Sequence, residues 1–227
     1  MNPPDNVFFG IPVAGRQIDV NCAISIFSAV NKYRGFGPSF LMGISEVSLA
    51  RNILTHRFKK TNSEWFMMID SDIIFSEDDW LRLWDSKEAI VFAPYAKKIP
   101  GSPPANFGLG FCRVHRRVFD AIDDLVGENG QEIAAKFYRD GEIHTNYYPV
   151  GVTGDSRWLG EDHAFFTLCA MTGIPYHAET RCRLKHVGPF EYGYPYQGLS
   201  NAEFWNPDER DPDTGIDMDS DLPVRVM

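Results

Sequence analysis

The run Trp65-Phe66-Met67-Met68-Ile69 is followed at once by Asp70-Ser71-Asp72, and this junction constrains the chain more than any other feature. An uninterrupted apolar run of strand length is buried on both faces, as in the middle of a parallel sheet. Two carboxylates cannot continue into such a core, so the strand must end there and present them at its C-terminal edge. In open α/β sheets that edge is where ligands bind. Two residues apart on an extended chain, both side chains share a face. Such a pair suits a hard cation, and the cation can hold the diphosphate of a nucleotide. Asp-x-Asp also occurs in solvated, helix-capping turns. The setting between WFMMI and IIFSEDDW favours the functional reading.

The flanking sequence supplies more of the sheet. Val7 to Val13 reads as a buried strand. Asp19 to Tyr33 reads as a helix with Val20, Ile24, Phe27 and Val30 on one face. Ser39 to Ile44 is a second strand, and Ser45 caps a helix from Glu46 to Lys60 striped with Val47, Ala50, Leu54 and Phe58. Ser76 and Asp79 form a capping box for a helix to about Trp84, and Ala89 to Ala93 is another buried strand. This alternation predicts βαβ units and a doubly wound sheet. Beyond it, the proline-rich stretch from Tyr95 to Asn106 is a loop, Phe107 to Val114 a strand and Arg116 to Leu125 a helix. Residues 127–158 lack a clear period and read as a partly mobile insertion. Glu161 to Thr172 is a helix ended by Gly173, and Pro175 to Ala178 and Arg183 to Val187 are short strands. The expected organisation is one domain over residues 1–198 and an acidic Asp/Pro-rich extension over 199–227.

Charge and cysteine usage limit the partners. The chain has 227 residues, with 22 basic against 31 acidic residues and a net charge of −9. Between Asp208 and Arg225 lie seven acids and two bases, so the tail carries −5 of that total. This argues against non-specific nucleic-acid binding by the whole surface. No transmembrane run and no signal peptide is legible. Cys22, Cys112, Cys169 and Cys182 are far apart without a CxxC pair, which predicts reduced thiols in a cytosol rather than a cysteine zinc site.

Further residues could carry chemistry. Glu161 and Asp162 follow Gly160 at a helix start. They complement the helix dipole, or one of them is a general base. His186 near a strand end could join carboxylates around Mn²⁺. His56, His115, His144, His163 and His177 have no partner legible in the sequence. Arg51 and Asn52 are either a surface pair or a contact to the nucleotide or the Asp-x-Asp loop. Lys97 and Lys98 could cover phosphate. Arg113, His115, Arg116 and Arg117 form one basic patch, and Arg181, Arg183 and Lys185 another. Tyr138, Tyr147, Tyr148, Trp158, Tyr192, Tyr194 and Tyr196 could stack on sugars or bases, or simply pack.

The motif order resembles the GT-A fold glycosyltransferases, nearest to family 2-like members. It rests on FGIPVAGR, SLARNIL, WFMMIDSDIIF, GLGFCRVHRRVF, WLGEDHAFF and LKHVG, which span roughly residues 7–190. The resemblance implies a UDP- or GDP-sugar donor with Mn²⁺ or Mg²⁺. It assigns the metal to Asp70, Asp72 and His186, and donor contacts to Pro12, Arg16, Arg51, Ser71 and Lys98. It puts Gly108, Gly110 and Trp158 on the acceptor side. It makes Asp162 the base of an inverting displacement, with Glu161 beside it. The usual acidic residue after the first strand is absent, since that loop reads Ala14-Gly15-Arg16-Gln17. The compactness resembles short enzymes of phage and bacterial surface-sugar clusters, hence an expected cytoplasmic location in a bacterium or phage-infected cell.

Two other readings stay open. One is a sugar nucleotidyltransferase, although its phosphate loop would be thin here. The other is a non-catalytic sugar- or protein-binding domain on the same scaffold. The acceptor is open among saccharide, protein, lipid-linked sugar and, as a lesser alternative, a hydroxymethylated DNA base.

Overall fold

A computed structural model describes residues 4–32, 37–96, 108–152, 154 and 156–188, and the backbone of 191–193. The acidic extension, Lys97, Lys98, Tyr194 and Tyr196 therefore lie outside the described residues. The elements run β1 (Val7–Val13), α1 (Val20–Lys32), β2 (Ser39–Met42), α2 (Val47–Lys59), β3 (Trp65–Ile69), β4 (Ile73–Ile74), α3 (Glu77–Leu83) and β5 (Ile90–Phe92). There follow β6 (Phe111–His115), α4 (Arg116–Asp123), β7 (Lys136–Arg139), β8 (Glu142–Thr145), β9 (Gly151–Val152) and β10 (Trp158–Leu159). The described part closes with α5 (Glu161–Met171), β11 (Tyr176–Ala178), β12 (Lys185–Val187) and β13 (Glu191–Gly193).

The central sheet has the order β11-β5-β6-β3-β1-β2. All of its neighbours are parallel except β6, which runs antiparallel to both β3 and β5. Strand alternation divides its side chains between two cores. Phe8, Phe66, Met68, Ile90 and Phe92 pack with Leu54 and Phe58 of α2, Phe119 of α4 and Phe165 of α5. Val7, Phe9, Ile11, Met67, Ile69 and Val91 pack with Ile26 and Val30 of α1 and Trp80 of α3. The α/β sheet covered by helices on both faces is thus as the apolar periodicity predicts.

Several local expectations change. Helix α1 buries Cys22, Ile26, Ala29 and Val30, whereas Val20, Ile24 and Phe27 are exposed. Both faces of α1 are apolar, so periodicity alone could not choose which one meets the sheet. Helix α2 is capped by Glu46, whose carboxylate accepts from the Ser48 and Leu49 amides, rather than by Ser45. The Ser76–Asp79 capping box is present on α3. The strand expected from Phe107 is paired from Phe111. Residues 127–158 are not without structure. They hold the hairpin β7–β8, turned at Asp140-Gly141 with φ of 51° and 85°, and the short antiparallel pair β9–β10. Two positive φ values in a two-residue loop define the turn that asparagine or aspartate followed by glycine favours.

Most of the first basic patch is turned inward, with only Arg117 exposed. Arg113 is buried and donates from Nε to Leu83 O at 2.6 Å, from Nη1 to Glu88 O at 3.0 Å and from Nη2 to Ser86 O at 2.8 Å. Its guanidinium also lies against the rings of Trp65 and Trp84, at 4.4 and 4.8 Å. Burial lowers its pKa to about 10, which leaves it charged at neutral pH. Arg116 closes the carbonyls of Phe58, Lys59, Thr61 and Ser63. In the second patch, Arg181 pairs with Glu179 and Asp85. Tyr147 and Tyr148 are buried in the core, which removes them as stacking platforms. Arg113→Met keeps the volume but orphans three carbonyls. It is expected to lower the unfolding free energy by about 3 kcal/mol, at roughly 1 kcal/mol for each lost partner. Urea unfolding followed by tryptophan fluorescence checks this, and native stability would contradict it.

Candidate functional site

The Asp-Ser-Asp junction is a turn, not an extension of β3. The strand stops at Ile69 and β4 starts at Ile73. The two carboxylates meet different partners, although both line one cleft. Every carbonyl of the turn is held: Asp70 O accepts from the Ile73 amide and Cys22 Sγ, Ser71 O from the Asp19 amide, and Asp72 O from the Val187 amide. Three different segments therefore fix the loop, which satisfies the rule that buried backbone groups be paired.

Asp70 points to Arg51. This arginine stands on α2 with its side chain 2% exposed. Its Nη2 donates to both Asp70 oxygens, at 3.0 and 3.3 Å. Its Nη1 donates to Glu161 Oε1 at 2.7 Å and Asp162 Oδ1 at 3.1 Å. The surface-pair reading of Arg51 and Asn52 is thereby excluded. Arg51 joins the strand-end acid to both acids at the start of α5. Asn52 accepts from the Tyr147 amide and donates to Asn146.

One buried cation facing three acids shifts protons. Burial pulls the Arg51 pKa down, but Asp70, Asp162 and Glu161 hold it well above its ordinary value. Burial pushes Asp162 up to about 7; Arg51 pulls against this, while Glu161 and Asp70 add to it. A carboxyl poised near neutrality is what a general base requires. The Leu109 amide also holds the Asp162 carboxylate. Tyr95, buried beside the group, is pushed well above its ordinary pKa by burial and by Asp70 and Asp162.

The glycines flanking Leu109 have a packing reason. A Cβ on Gly110 would stand 2.5 Å from Asp70 Oδ2 and 2.7 Å from the Tyr95 hydroxyl. A Cβ on Gly108 would stand 2.8 Å from Tyr95 Cε1. Both positions let the chain entering β6 approach Asp70 and Tyr95.

Asp72 points the other way, to His186 on β12. His186 Nδ1 lies 2.8 Å from Ala96 O. A carbonyl only accepts, so Nδ1 carries the proton. In the neutral ring this leaves a lone pair on Nε2, which lies 3.5 Å from Asp72 Oδ1. An imidazole oriented by a carbonyl through its other nitrogen is the common arrangement of a metal-ligating histidine. The Asp70, Asp72 and His186 donors are not one tight cluster. Among the described residues only His56, Glu142 and His144 bring three such ligand atoms within 4.8 Å of one another.

An open cleft of about 180 Å³ runs along these groups, lined by Pro12, Ala14, Ser45, Asp70, Asp72 and His186. A larger cavity of about 330 Å³ lies elsewhere, between α1 and α3; its size does not make it the site, since the converging acids are not there. Pro12 and Ser71 line the cleft with the acids. Arg16 is exposed in the loop after β1. Trp158 is 67% exposed on β10, close in sequence to Glu161. Lys98 lies outside the described residues. The sequence reading missed Tyr95 and several histidine partners. His56 meets Glu142, His177 lies 3.9 Å from Glu179, and His115 Nδ1 accepts from the Arg117 amide at the start of α4.

No family model matches the chain, and no curated protein matches it. Solved structures do resemble it. A197 from STIV is 17% identical with a TM-score of 0.47, over 80% of this chain and 85% of that one. The catalytic domain of Drosophila beta1,4-galactosyltransferase 7, solved in complex with xylobiose, is 15% identical with a TM-score of 0.48, over 95% and 83%. A glycosyltransferase involved in glycosylation of the major capsid of PBCV-1 is 16% identical with a TM-score of 0.34, over 52% and 62%. At these values the function has to be argued from the site itself. No helix among the described residues is long and apolar enough to cross a membrane.

Removing Arg51 should leave its three acids uncompensated. Arg51→Met is expected to lose about 3–5 kcal/mol of stability at pH 8, the range for breaking a buried ion pair from one side. Without the cation the Asp162 pKa, already raised, moves further above its unfolded value. The folded variant then binds more protons than its unfolded chain, so its stability increases as pH falls. The deficit against the native protein should therefore shrink by pH 5. Equal deficits at both pH values would contradict this electrostatic account.

Proposed function

We propose that this chain is a metal-dependent glycosyltransferase. It moves a sugar from a nucleotide-sugar donor, a UDP- or GDP-sugar, to a hydroxyl acceptor with inversion. One observation carries the reading: Arg51 gathers Asp70 of the strand end and Glu161 and Asp162 of α5 at one point. That point adjoins a cleft where Asp72 faces a histidine with its Nε2 lone pair available. Asp72 and His186 offer Mn²⁺ the carboxylate and imidazole ligands it takes, and Asp70 would join them by turning an oxygen from Arg51 to the cleft. When bound, Mn²⁺ or Mg²⁺ neutralises the charge that develops on the departing diphosphate.

The protein residues supply the rest. Asp162 takes the proton of the acceptor hydroxyl. The acceptor oxygen forms its bond to the anomeric carbon while the bond from that carbon to the β-phosphate oxygen breaks, and the electron pair leaves with the nucleoside diphosphate. One displacement inverts the centre. Arg51 holds Asp162 and Asp70 in fixed relation, so the base and the donor-binding edge keep their distance. Pro12, Ser71 and Arg16, with Lys98, are proposed donor contacts. Gly108 and Gly110, with exposed Trp158, form the proposed acceptor side, where an indole suits the apolar face of a saccharide.

Two results test the assignment. Asp72→Ala should abolish Mn²⁺-stimulated hydrolysis or transfer of the donor sugar; full activity would remove Asp72 from the metal site. In the native enzyme kcat/KM should rise with pH through a limb near 7, where Asp162 loses its proton. Asp162→Asn should remove that limb and lower the rate by about 10²–10⁴-fold, the usual contribution of a general base. An unchanged rate or profile would take the role from Asp162.

A further inference from the structure

A second group of metal-ligating side chains lies on the opposite flank of α2. His56 of α2 and Glu142 and His144 of the β7–β8 hairpin bring one ligand atom each within 4.8 Å of one another. His56 Nε2 lies 2.6 Å from Glu142 Oε2. The His56 and His144 rings are 3.9 Å apart at an angle of 29°. Glu142 and His144 alternate along β8 and so share a face of the strand. His144 is only 5% exposed, and its Nδ1 is buried without a hydrogen-bond partner. A buried nitrogen left unpaired is unfavourable, so His144 has an unused ring nitrogen that could take a ligand. None of these residues takes part in the proposed transfer.

We propose that His56, Glu142 and His144 form a binding site for one divalent transition cation of the Zn²⁺ class. Two imidazoles and a carboxylate are a known zinc donor set, with a fourth position left to water or another ligand. Stacked rings do not aim both lone pairs at one point, so the His56 ring must turn to close the site. Its side chain is 24% exposed, which leaves it room to do so. Lys60 now supplies the positive charge beside Glu142. The cation replaces the Lys60 ammonium, which sits on an exposed side chain and can return to water. Bound there, the ion pins the hairpin to the helix that carries Arg51.

Competition between the full-length protein and a chromophoric chelator for Zn²⁺ tests the site, with Co²⁺ absorption as a second readout. A single Zn²⁺ should bind to the native protein and equally to Asp72→Ala. Binding should weaken in both His56→Gln and Glu142→Gln, by at least the roughly 100-fold that losing an outer-shell partner can cause. Both substitutions are at partly or well exposed side chains, so folding is retained and is checked by circular dichroism. No Zn²⁺ binding to the native protein overturns the inference. So does native-level binding in either variant. Loss in Asp72→Ala alone would place Zn²⁺ at the cleft, overturning this site while leaving the proposed transfer standing.

Discussion

The Arg51 guanidinium is the interaction on which the rest of the site depends. It is a fixed cation on a helix, buried between a strand end and a helix start, and it contacts three carboxylates. Its planar fork can serve both sides at once, which a lysine ammonium could not do with the same geometry. The β3–α5 relation, and with it the position of Asp162, is set by these contacts rather than by apolar packing alone. The approach of the chain at Gly110, where any Cβ would meet Asp70 and Tyr95, belongs to the same constraint.

One positive charge facing three acids leaves an excess of negative charge under the cleft. Burial pushes Asp162 up to about 7 against the pull of Arg51, and the excess charge of Glu161 and Asp70 adds to the rise. On the proposed reading, a divalent cation at Asp72 and His186 and a proton on Asp162 are alternative ways of offsetting that excess. Donor loading and readiness of the base are then linked through charge, without any change of backbone. The turn at 70–72, held from three segments, keeps this linkage short.

Much of the fold was legible because it follows from burial. A sheet covered on both faces requires apolar runs in its strands, and Val7 to Val13, Trp65 to Ile69 and Ala89 to Ala93 show them. Legibility failed where two solutions bury equally well or where the information is non-local. Helix α1 has two apolar faces, and only the sheet decides between them. The antiparallel direction of β6 leaves no trace in its own composition. The hairpin at Asp140-Gly141 carries a turn signal, but its polar flanking strands show no apolar alternation to go with it. Its recognition would have placed Glu142 and His144 on one strand face. In the site, Asp70, Asp72, Glu161, Asp162 and His186 were readable from their places at element ends. Their pairing was not, because Arg51 reaches Glu161 across 110 positions and such a contact leaves no local trace. The basic patch around Arg113 misled for the same reason, since its partners are backbone carbonyls.

The central claim is that the cleft beside Arg51 binds a nucleoside diphosphate through a divalent cation. The most direct measurement is a thermal-shift series with UDP, GDP and CDP and the corresponding nucleotide sugars, each with and without Mn²⁺. A ligand at about 100 times its Kd should stabilise the native state by about 2.7 kcal/mol. The account predicts a clear rise in Tm with one nucleotide base, present only with Mn²⁺. No shift with any nucleotide, in a sample that unfolds cooperatively, would contradict it.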